Sequence, residues 1–295
     1  MRQHVSHWRA EFALVCITGI WGGTFVVVKD ALDHVSTLLF LTLRFSLAAA
    51  VLAILYRKHL YRSGKLSLRA GIIAGLLLFT GQFFQTQGLR YTTPSKSAFI
   101  TGLSIVLVPL LSSFVYRKAP GVFEIAGVVV ATIGLALMTI EPAALTVSVG
   151  DLLTLICAFA FGAHIVSIGY FSSSAHFEAL SALQISMAAV ASALTFWWAE
   201  VPALQWTASV VGAVAVTGLL ATALAFTVQA WAQRFTTATR VALIFALEPV
   251  FAALTSHFLG RETITMPVVA GAVLILAGIL LVELKPAAVP PHPSG

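Results

Sequence analysis

An acidic residue and a proline, Glu248 and Pro249, stand side by side in the apolar stretch 243–262. The stretch is long enough to cross a bilayer, where a charged group is costly. Pro249 also lacks the amide that would donate to the carbonyl of Phe245. Such residues persist in membranes when they face protein or a watery cavity, so they mark a candidate site. Three roles stay open for Glu248: a structural lock at a helix kink, a proton-coupling site, or a partner for a substrate ammonium group.

Polar and aromatic residues also recur at helical spacing in other apolar stretches. Phe79, Gln82 and Gln85 follow one another every third residue and therefore share one face of a helix. We predict that Gln85 forms hydrogen bonds with polar groups of a ligand, although glutamines also form hydrogen bonds between packed helices. Trp21 and Glu248 each lie about 16 Å from the same side of their stretches, near the midplane, so they could share one cavity.

Three more residues have both a structural and a functional interpretation. His164 is a lone histidine, for which a structural hydrogen bond competes with a proton relay or a substrate contact. Phe99 is either a gate or a packing residue. Arg44 lies at a depth that permits an ion pair with Glu248, and such a pair would favour the structural role of that carboxylate.

No motif of an enzyme or of a metal site accompanies these residues. The sequence contains no HExxH, P-loop or GxSxG pattern, and its acidic residues lie mostly in loops and at the ends of spans, with no pair inside the membrane. The cysteines, Cys16 and Cys157, lack CxxC spacing and a nearby histidine, so we predict buried structural thiols. We therefore expect neither catalysis nor a cofactor or metal ion.

The composition is typical of a membrane protein. Of the 295 residues 59% are hydrophobic and 9% are charged, which is too few charges to cover a soluble globule of this size. The net charge of +6 comes from Lys and Arg residues gathered in short loops, so it indicates topology and not nucleic-acid binding. The predicted class is an all-α polytopic membrane protein.

Apolar windows of about 20 residues, separated by short polar or Gly/Pro breaks, predict ten transmembrane helices. Their limits are 10–28, 36–56, 69–89, 95–116, 122–140, 151–171, 177–198, 207–232, 237–259 and 264–284. The first span is expected to be retained, because no small-residue cleavage site follows it. The tail 286–295, rich in Pro and small residues, is expected to be disordered.

The distribution of positive charge predicts the orientation. With the N-terminus in the cytoplasm, the inner segments hold most of the 17 Lys and Arg residues, including Arg2, the basic run 57–69 and Lys285. Positive charge concentrates on the cytoplasmic side of membrane proteins. Both termini are therefore predicted to be cytoplasmic, in a multi-pass protein of the inner (plasma) membrane.

The chain repeats itself in two halves, 1–146 and 147–285. A shift of 144 residues aligns 90–93 (RYTT) with 234–237 (RFTT), and the same register pairs Gln85 with Gln229, Gly127 with Gly271 and Gly134 with Gly278. A shift of 140 residues pairs Gly22 with Gly162 and Ser46 with Ser186. Because each half has five predicted spans, the second enters the membrane from the opposite side, as an inverted repeat typical of transporters.

Short motifs in these repeats together resemble a known family. They are WGGTF at 21–25, LRF at 43–45 and LEPV at 247–250. Their order and spacing resemble EamA-type members of the drug/metabolite transporter superfamily, over residues 11–284. Within it the chain is most similar to the YddG-like branch of bacterial amino-acid exporters. The resemblance implies ten helices around a cavity lined by spans one, three, four, six, eight and nine, with spans five and ten outside.

These observations predict a secondary transporter that exports amino acids, aromatic or of a broad range, or related small metabolites by alternating access. The predicted substrate-binding residues are Trp21, Phe79, Gln82, Gln85, Phe99, His164, Glu248 and Pro249. The alternatives are a drug or nucleotide-sugar carrier of the same superfamily, and a non-transporting membrane receptor or assembly subunit. The expected partners are a small-molecule substrate and the lipid bilayer, without nucleic acid, for a monomer or a weak homodimer.

Overall fold

The computed structural model describes residues 7–139, 147–172, 174–259 and 263–283, so the tail 286–295 and the basic residues Arg2 and Lys285 lie outside it. The described residues form helices, and the β contact among them is an isolated bridge between Val35 and Leu204. The helices are α1 His7–Ala31, α2 Thr37–Leu55, α3 Arg57–Tyr61, α4 Lys65–Leu89, α5 Pro94–Gly102, α6 Ser104–Tyr116, α7 Val122–Thr139, α8 Val149–Phe171, α9 Phe177–Ala199, α10 Ala208–Gly218, a π-helical segment Leu219–Leu224, α11 Ala225–Ala232, α12 Ala238–Phe245, α13 Glu248–Phe258 and α14 Met266–Glu283.

Eight stretches of the described chain are long and apolar enough to cross a membrane. They are His7–Ala31, Thr37–Leu55, Lys65–Leu89, Lys96–Tyr116, Val149–Phe171, Phe177–Ala199, Ala208–Ala232 and Ala238–Phe258. Two shorter apolar helices, Val122–Met138 and Met266–Val282, coincide with the predicted fifth and tenth spans. An all-α multi-pass membrane protein is thus confirmed, while the count of ten spans stays a prediction.

Two of the predicted spans consist of two helices each. The fourth breaks between α5 and α6 at Leu103, and the ninth breaks between α12 and α13 at Ala246 and Leu247. Pro249 lies in the first turn of α13, where a missing amide costs no helical hydrogen bond. The proline therefore belongs to the start of a helix, and the expected kink in a continuous helix is instead a break just before it.

The largest apolar core lies where α1, α2, α4 and α9 meet, and it contains Phe40 and Phe45 of α2. Cys157 is buried, as predicted, but the prediction for Cys16 is wrong because this thiol is exposed on α1. Cys16 shares the outward side of that helix with Phe12, four residues earlier, whose side chain is also exposed.

The helices α7 and α14 pack against each other through glycines. A Cβ atom at Gly134 would lie 2.5 Å from the carbonyl oxygen of Gly271, and one at Gly127 would lie 2.6 Å from that of Gly278. These distances are too short for a side chain, so the contact between the two backbones requires glycine. The predicted role of these glycines in close helix contact is confirmed.

We expect Gly134→Ala to lower the stability of the purified protein, because the added methyl group must push α7 away from α14. Overpacking of this kind costs about 1–3 kcal/mol, which a melting curve in detergent detects. Gly212→Ala is the matched control, since nothing lies within 4 Å of the Cβ position there. Its melting temperature should stay unchanged or rise, because alanine favours a helix. Equal losses in the two variants would contradict the assigned contact.

The eighth span changes its winding in the π-helical segment Leu219–Leu224. Trp21 of α1 lies against this segment, and its indole Nε1 donates a hydrogen bond of 2.8 Å to the carbonyl oxygen of Ala221. π-Helical turns are rare and occur frequently at functional sites. The bond holds α1 to the irregular part of the eighth span, and this contact fixes one wall of the interior.

We expect Trp21→Phe to destabilise the protein by at least about 1 kcal/mol, because the substitution removes the indole N–H that bonds to Ala221 and also shrinks the ring that packs on Phe226 and Phe245. Trp198→Phe is the control: Trp198 is exposed, and its Nε1 donates to the Leu194 carbonyl of its own helix. Its melting temperature should not change. A fall as large as that of Trp21→Phe would argue against a special role for the bond between helices.

Candidate functional site

A cavity lies between the helices of the bundle. Its aromatic lining residues are Trp21, Phe25, Phe161, Phe226 and Phe245, and its polar ones are Thr24, Arg44, Gln82, Gln85, Thr86, Thr101, Ser104, His164, Gln229 and Glu248. Among the described residues, α7 and α14 contribute nothing to this lining, whereas α2 contributes Arg44 in addition to the spans that the family resemblance implied. A cavity lined by aromatic rings with a few convergent polar groups is typical of a small-molecule site.

Three aromatic rings from three spans form one wall of the cavity. The ring of Trp21 packs edge-on against Phe245 with centroids 4.9 Å apart, and it is tilted against Phe226 at 5.2 Å. Because its indole N–H is already bonded to the carbonyl of Ala221, Trp21 offers mainly its apolar surface. This wall suits an apolar or aromatic group.

The guanidinium of Arg44 lies buried beside the cavity and is held by neutral groups. Its Nε donates to the hydroxyl of Thr222 at 2.6 Å, and its Nη1 donates to the amide oxygen of Gln82 at 3.0 Å. Arg44 and Glu248 form no ion pair, so the depth argument for that pair is not supported. Both bonds consume donors of the guanidinium without neutralising its charge.

The side chain of Glu248 lines the same cavity from the first residue of α13. It is half-buried, and among the described residues nothing forms a hydrogen bond or an ion pair with its carboxylate. The N-terminal end of a helix favours negative charge, which makes the position tolerable inside a membrane. The carboxylate therefore faces the contents of the cavity and not a partner in the protein.

Two predicted residues have well-defined partners at the cavity wall. His164 is buried, and its Nε2 lies 2.8 Å from the Oε1 of Gln184, so this histidine forms the structural hydrogen bond that was one of its two predicted roles. Gln85 donates from its amide nitrogen to the hydroxyl of Thr101 at 3.1 Å. Within the described residues no three His, Cys, Asp or Glu side chains come together as metal ligands.

Three predicted site residues lie away from the cavity lining. Phe79 stacks on Phe83 at a centroid distance of 6.1 Å and packs against the core around α2. Phe99 packs in the apolar cluster that contains Ile105, and Pro249 is buried in the first turn of α13. Any effect of these three side chains on a substrate therefore passes through the residues that they contact.

Some lining residues were not selected from the sequence, although a signal for them existed. Arg44 is a cation deep in an apolar stretch, which is itself unusual. Phe161 is the counterpart of Trp21 under the 140-residue shift, and Gln229 is the counterpart of Gln85 under the 144-residue shift. Applying the repeat to each candidate would have found Phe161 and Gln229.

Repeat counterparts meet in the cavity as pairs. The pairs are Trp21 and Phe161, Thr24 and His164, Gln82 and Phe226, Gln85 and Gln229, Thr101 and Phe245, and Ser104 and Glu248. Most pairs differ in chemistry, so the two halves contribute different groups to one site. The carboxylate and the imidazole come from the second half, whereas the guanidinium comes from the first.

Comparisons with known proteins identify the family of this chain. The model of the EamA-like transporter family matches the chain twice, over residues 8–140 and 148–284. An uncharacterised transporter of Archaeoglobus fulgidus is 32% identical over 276 residues, which cover 94% of this chain and 86% of the relative. The uncharacterised transporter YoaV of Bacillus subtilis is 27% identical over 287 residues, which cover 92% of this chain and 96% of the relative.

A solved crystal structure has the same fold. It superposes with a TM-score of 0.77 at 19% sequence identity, and the match covers 95% of this chain and 98% of the other. The family matches extend over nearly the whole chain and contradict the alternative of a non-transporting receptor or assembly subunit. The chain belongs to the EamA-like transporter family of the drug/metabolite transporter superfamily and is a membrane transporter.

Proposed function

We propose that this transporter exports amino acids, or related small amphipathic metabolites, across the inner membrane. In this proposal ten spans form two inverted repeats of five, both termini are cytoplasmic, and the two halves rock about the cavity to expose it alternately. The observation that carries the proposal is the combination of Arg44, Glu248 and an aromatic wall in one cavity. Small zwitterions with an apolar side chain match all three features.

The two charges of the cavity are complementary to those of a zwitterion. Arg44 has guanidinium donors beyond its bonds to Thr222 and Gln82, and these can bind a carboxylate. Glu248 can accept hydrogen bonds from an ammonium group. Charges inside a membrane are costly and are typically retained for function, and a zwitterion would neutralise both without adding net charge.

The aromatic wall supplies the apolar part of the recognition. The wall is formed by the rings of Trp21, Phe226 and Phe245, which line the cavity. Apolar contacts are largely non-directional, so they do not require one fixed orientation of the bound group. Side chains of different shapes can therefore bind against the same wall. This favours apolar and aromatic amino acids, with a broad range.

A drug or nucleotide-sugar carrier is the second candidate, and the charges of the cavity favour it less. A diphosphate calls for several cations, but Arg44 is the one Lys or Arg among the described lining residues, and Glu248 would repel phosphate. A cationic drug would suit Glu248 and be repelled by Arg44. A substrate with both charges avoids either conflict.

We expect purified protein in proteoliposomes to exchange labelled apolar and aromatic amino acids with unlabelled substrate loaded inside. N-acetylated derivatives lack the ammonium group and should compete at least about tenfold less well, because a charged hydrogen bond is lost. A nucleotide sugar and a lipophilic cation, measured in parallel, test the second candidate. Flux of either of these, with none for any amino acid, would overturn the proposal, and repeating the panel with a pH gradient tests proton coupling.

We expect Arg44→Gln and Glu248→Gln each to lower amino-acid exchange about tenfold or more. Glu248→Gln should keep the melting temperature, because it removes a costly charge that has no partner among the described residues, whereas Arg44→Gln also loses the bonds to Thr222 and Gln82. Arg57→Gln, at an exposed position outside the cavity, should match the parent protein. If Glu248 binds the ammonium group, Glu248→Gln should also lose the preference for free over N-acetylated amino acids. Normal exchange by a well-folded Glu248→Gln variant would leave that residue a structural role only.

A further inference from the structure

A polar cluster at the start of α8 joins the two halves of the chain. Asp151 forms an ion pair with the Nζ of Lys96 at 2.6 Å and accepts a hydrogen bond from the hydroxyl of Thr92 at 2.8 Å. We call Thr92, Lys96 and Asp151 the Asp151 cluster. Its cation and hydroxyl come from the first half, and its acid comes from the second.

A second polar cluster joins the halves near the start of α1. Glu11 forms an ion pair with the Nη1 of Arg240 at 3.1 Å and accepts a hydrogen bond from the hydroxyl of Thr236 at 3.3 Å. We call Glu11, Thr236 and Arg240 the Glu11 cluster. Here the acid comes from the first half, and the cation and hydroxyl come from the second.

The two clusters are counterparts of each other, residue for residue. The 144-residue shift of the repeat pairs Thr92 with Thr236 and Lys96 with Arg240, and the 140-residue shift pairs Glu11 with Asp151. Each position keeps its chemistry: hydroxyl with hydroxyl, cation with cation, acid with acid. The ion pairs themselves follow the repeat, which sequence similarity alone does not require.

The helices that carry the two cations also begin alike. The hydroxyl of Thr93 accepts a hydrogen bond from the backbone N–H of Lys96 at the start of α5, and that of Thr237 accepts one from Arg240 at the start of α12. A capping residue fixes the first turn of its helix. The backbone of each cation therefore lies in the capped first turn of its helix.

The clusters lie at opposite ends of α1. Glu11 is near the first residue of that helix, whereas Lys29 near its last residue donates to the carbonyl oxygen of Thr92 at 3.2 Å. Glu11 and Lys29 are separated by about 27 Å along the helix axis. The hydrocarbon core of a bilayer is about 30 Å thick, so the clusters lie near its two faces.

The cavity lies between the clusters. Trp21 follows Glu11 by about 15 Å along α1, and Phe161 follows Asp151 by about 15 Å along α8. Both Trp21 and Phe161 line the cavity. A path from either face to the cavity along these helices begins beside one of the clusters.

In each cluster one charged side chain is largely removed from water, whereas its partner is more exposed, at 29% for Lys96 and 16% for Glu11. The side chain of Asp151 is 8% exposed and that of Arg240 is 9% exposed. Separating such a pair leaves a desolvated charge unless water replaces the partner. Water becomes available at a cluster when the two halves part at that face, so the pairs are stable when closed and hydrated when open.

We propose that the Asp151 cluster and the Glu11 cluster are the two gates of the transport cycle, each closing the cavity toward one face of the membrane. This rests on the inverted-repeat transporter proposed above. Separation of one pair while the other holds lets the halves rock open at a single face. Both ion pairs are formed in this structure.

The test measures access to one cysteine in the cavity from each side of the membrane. Ser104→Cys is introduced in a background with Cys16→Ala and Cys157→Ser, and labelling by a membrane-impermeant methanethiosulfonate reagent is timed in vesicles of both orientations. Lys96→Gln opens the Asp151 cluster without touching the helix cap that Asp151 provides for α8. Glu11→Gln opens the other cluster with a side chain of the same shape.

We expect Lys96→Gln to raise the labelling rate roughly fivefold or more from one face, and Glu11→Gln to raise it similarly from the opposite face. Lys65→Gln, an exposed charge at the start of α4, should leave both rates unchanged. No change in either variant, or an increase from the same face in both, would overturn the proposal. So would an increase from both faces in a single variant.

Two further variants separate lost charge from lost fold. Lys96→Arg keeps the ion pair and should label like the parent protein. The exchange of Glu11→Arg with Arg240→Glu should return labelling to the parent rate, and a rate that stays as high as that of Glu11→Gln would overturn the electrostatic gate. The labelling assay needs no substrate, so a failed amino-acid assignment and a failed gate assignment give different results.

Discussion

A polar group inside a bilayer has no water to bond, so every break in a transmembrane helix needs partners within the protein. The irregular segments of the described spans meet this constraint around one cavity: the break at Leu103, the π-helical segment Leu219–Leu224 and the break at Ala246 and Leu247. Ser104 and Glu248 follow the two breaks directly and line the cavity, while Trp21 and Arg44 bond to the π-helical segment. The membrane restricts where irregular backbone can lie, and the irregular backbone then places the polar side chains.

The cavity and the proposed gates use the repeat in opposite ways. The gate clusters have kept acid, cation and hydroxyl in both copies, because the same closing contact is needed at each face. In the cavity the copies have diverged: Ser104 has Glu248 as its counterpart, and Thr24 has His164. A substrate is a single asymmetric molecule, so its site needs different groups from the two halves. The matching clusters therefore serve the motion of the two halves, whereas the differing cavity residues serve the binding of the substrate.

At Glu248 the backbone has a structural role, whereas the side chain is available for function. A Cβ atom at Gly22 would lie 2.6 Å from the carbonyl oxygen of Glu248, so α1 packs closely on the backbone at the start of α13. The carboxylate makes no comparable contact with the described residues and lines the cavity instead. The backbone at this position contributes to packing, which leaves the side chain for the substrate or for a proton.

The amino-acid pattern was enough to predict the membrane class, the approximate spans, the repeat register and the isolation of Glu248 as an acid deep in an apolar stretch. It could do so because a run of about 20 apolar residues has one stable environment. Which helix faces turn inward became clear only from the fold: Phe79 and Phe99 resemble Trp21 in the sequence but pack away from the cavity. In a membrane both the lipid-facing and the protein-facing sides of a helix are apolar, so periodicity does not orient it. The depths of Arg44 and Glu248 along their helices likewise permitted an ion pair between them. The way the helices pack side by side instead gives Arg44 two neutral partners, and it pairs Glu11 with Arg240.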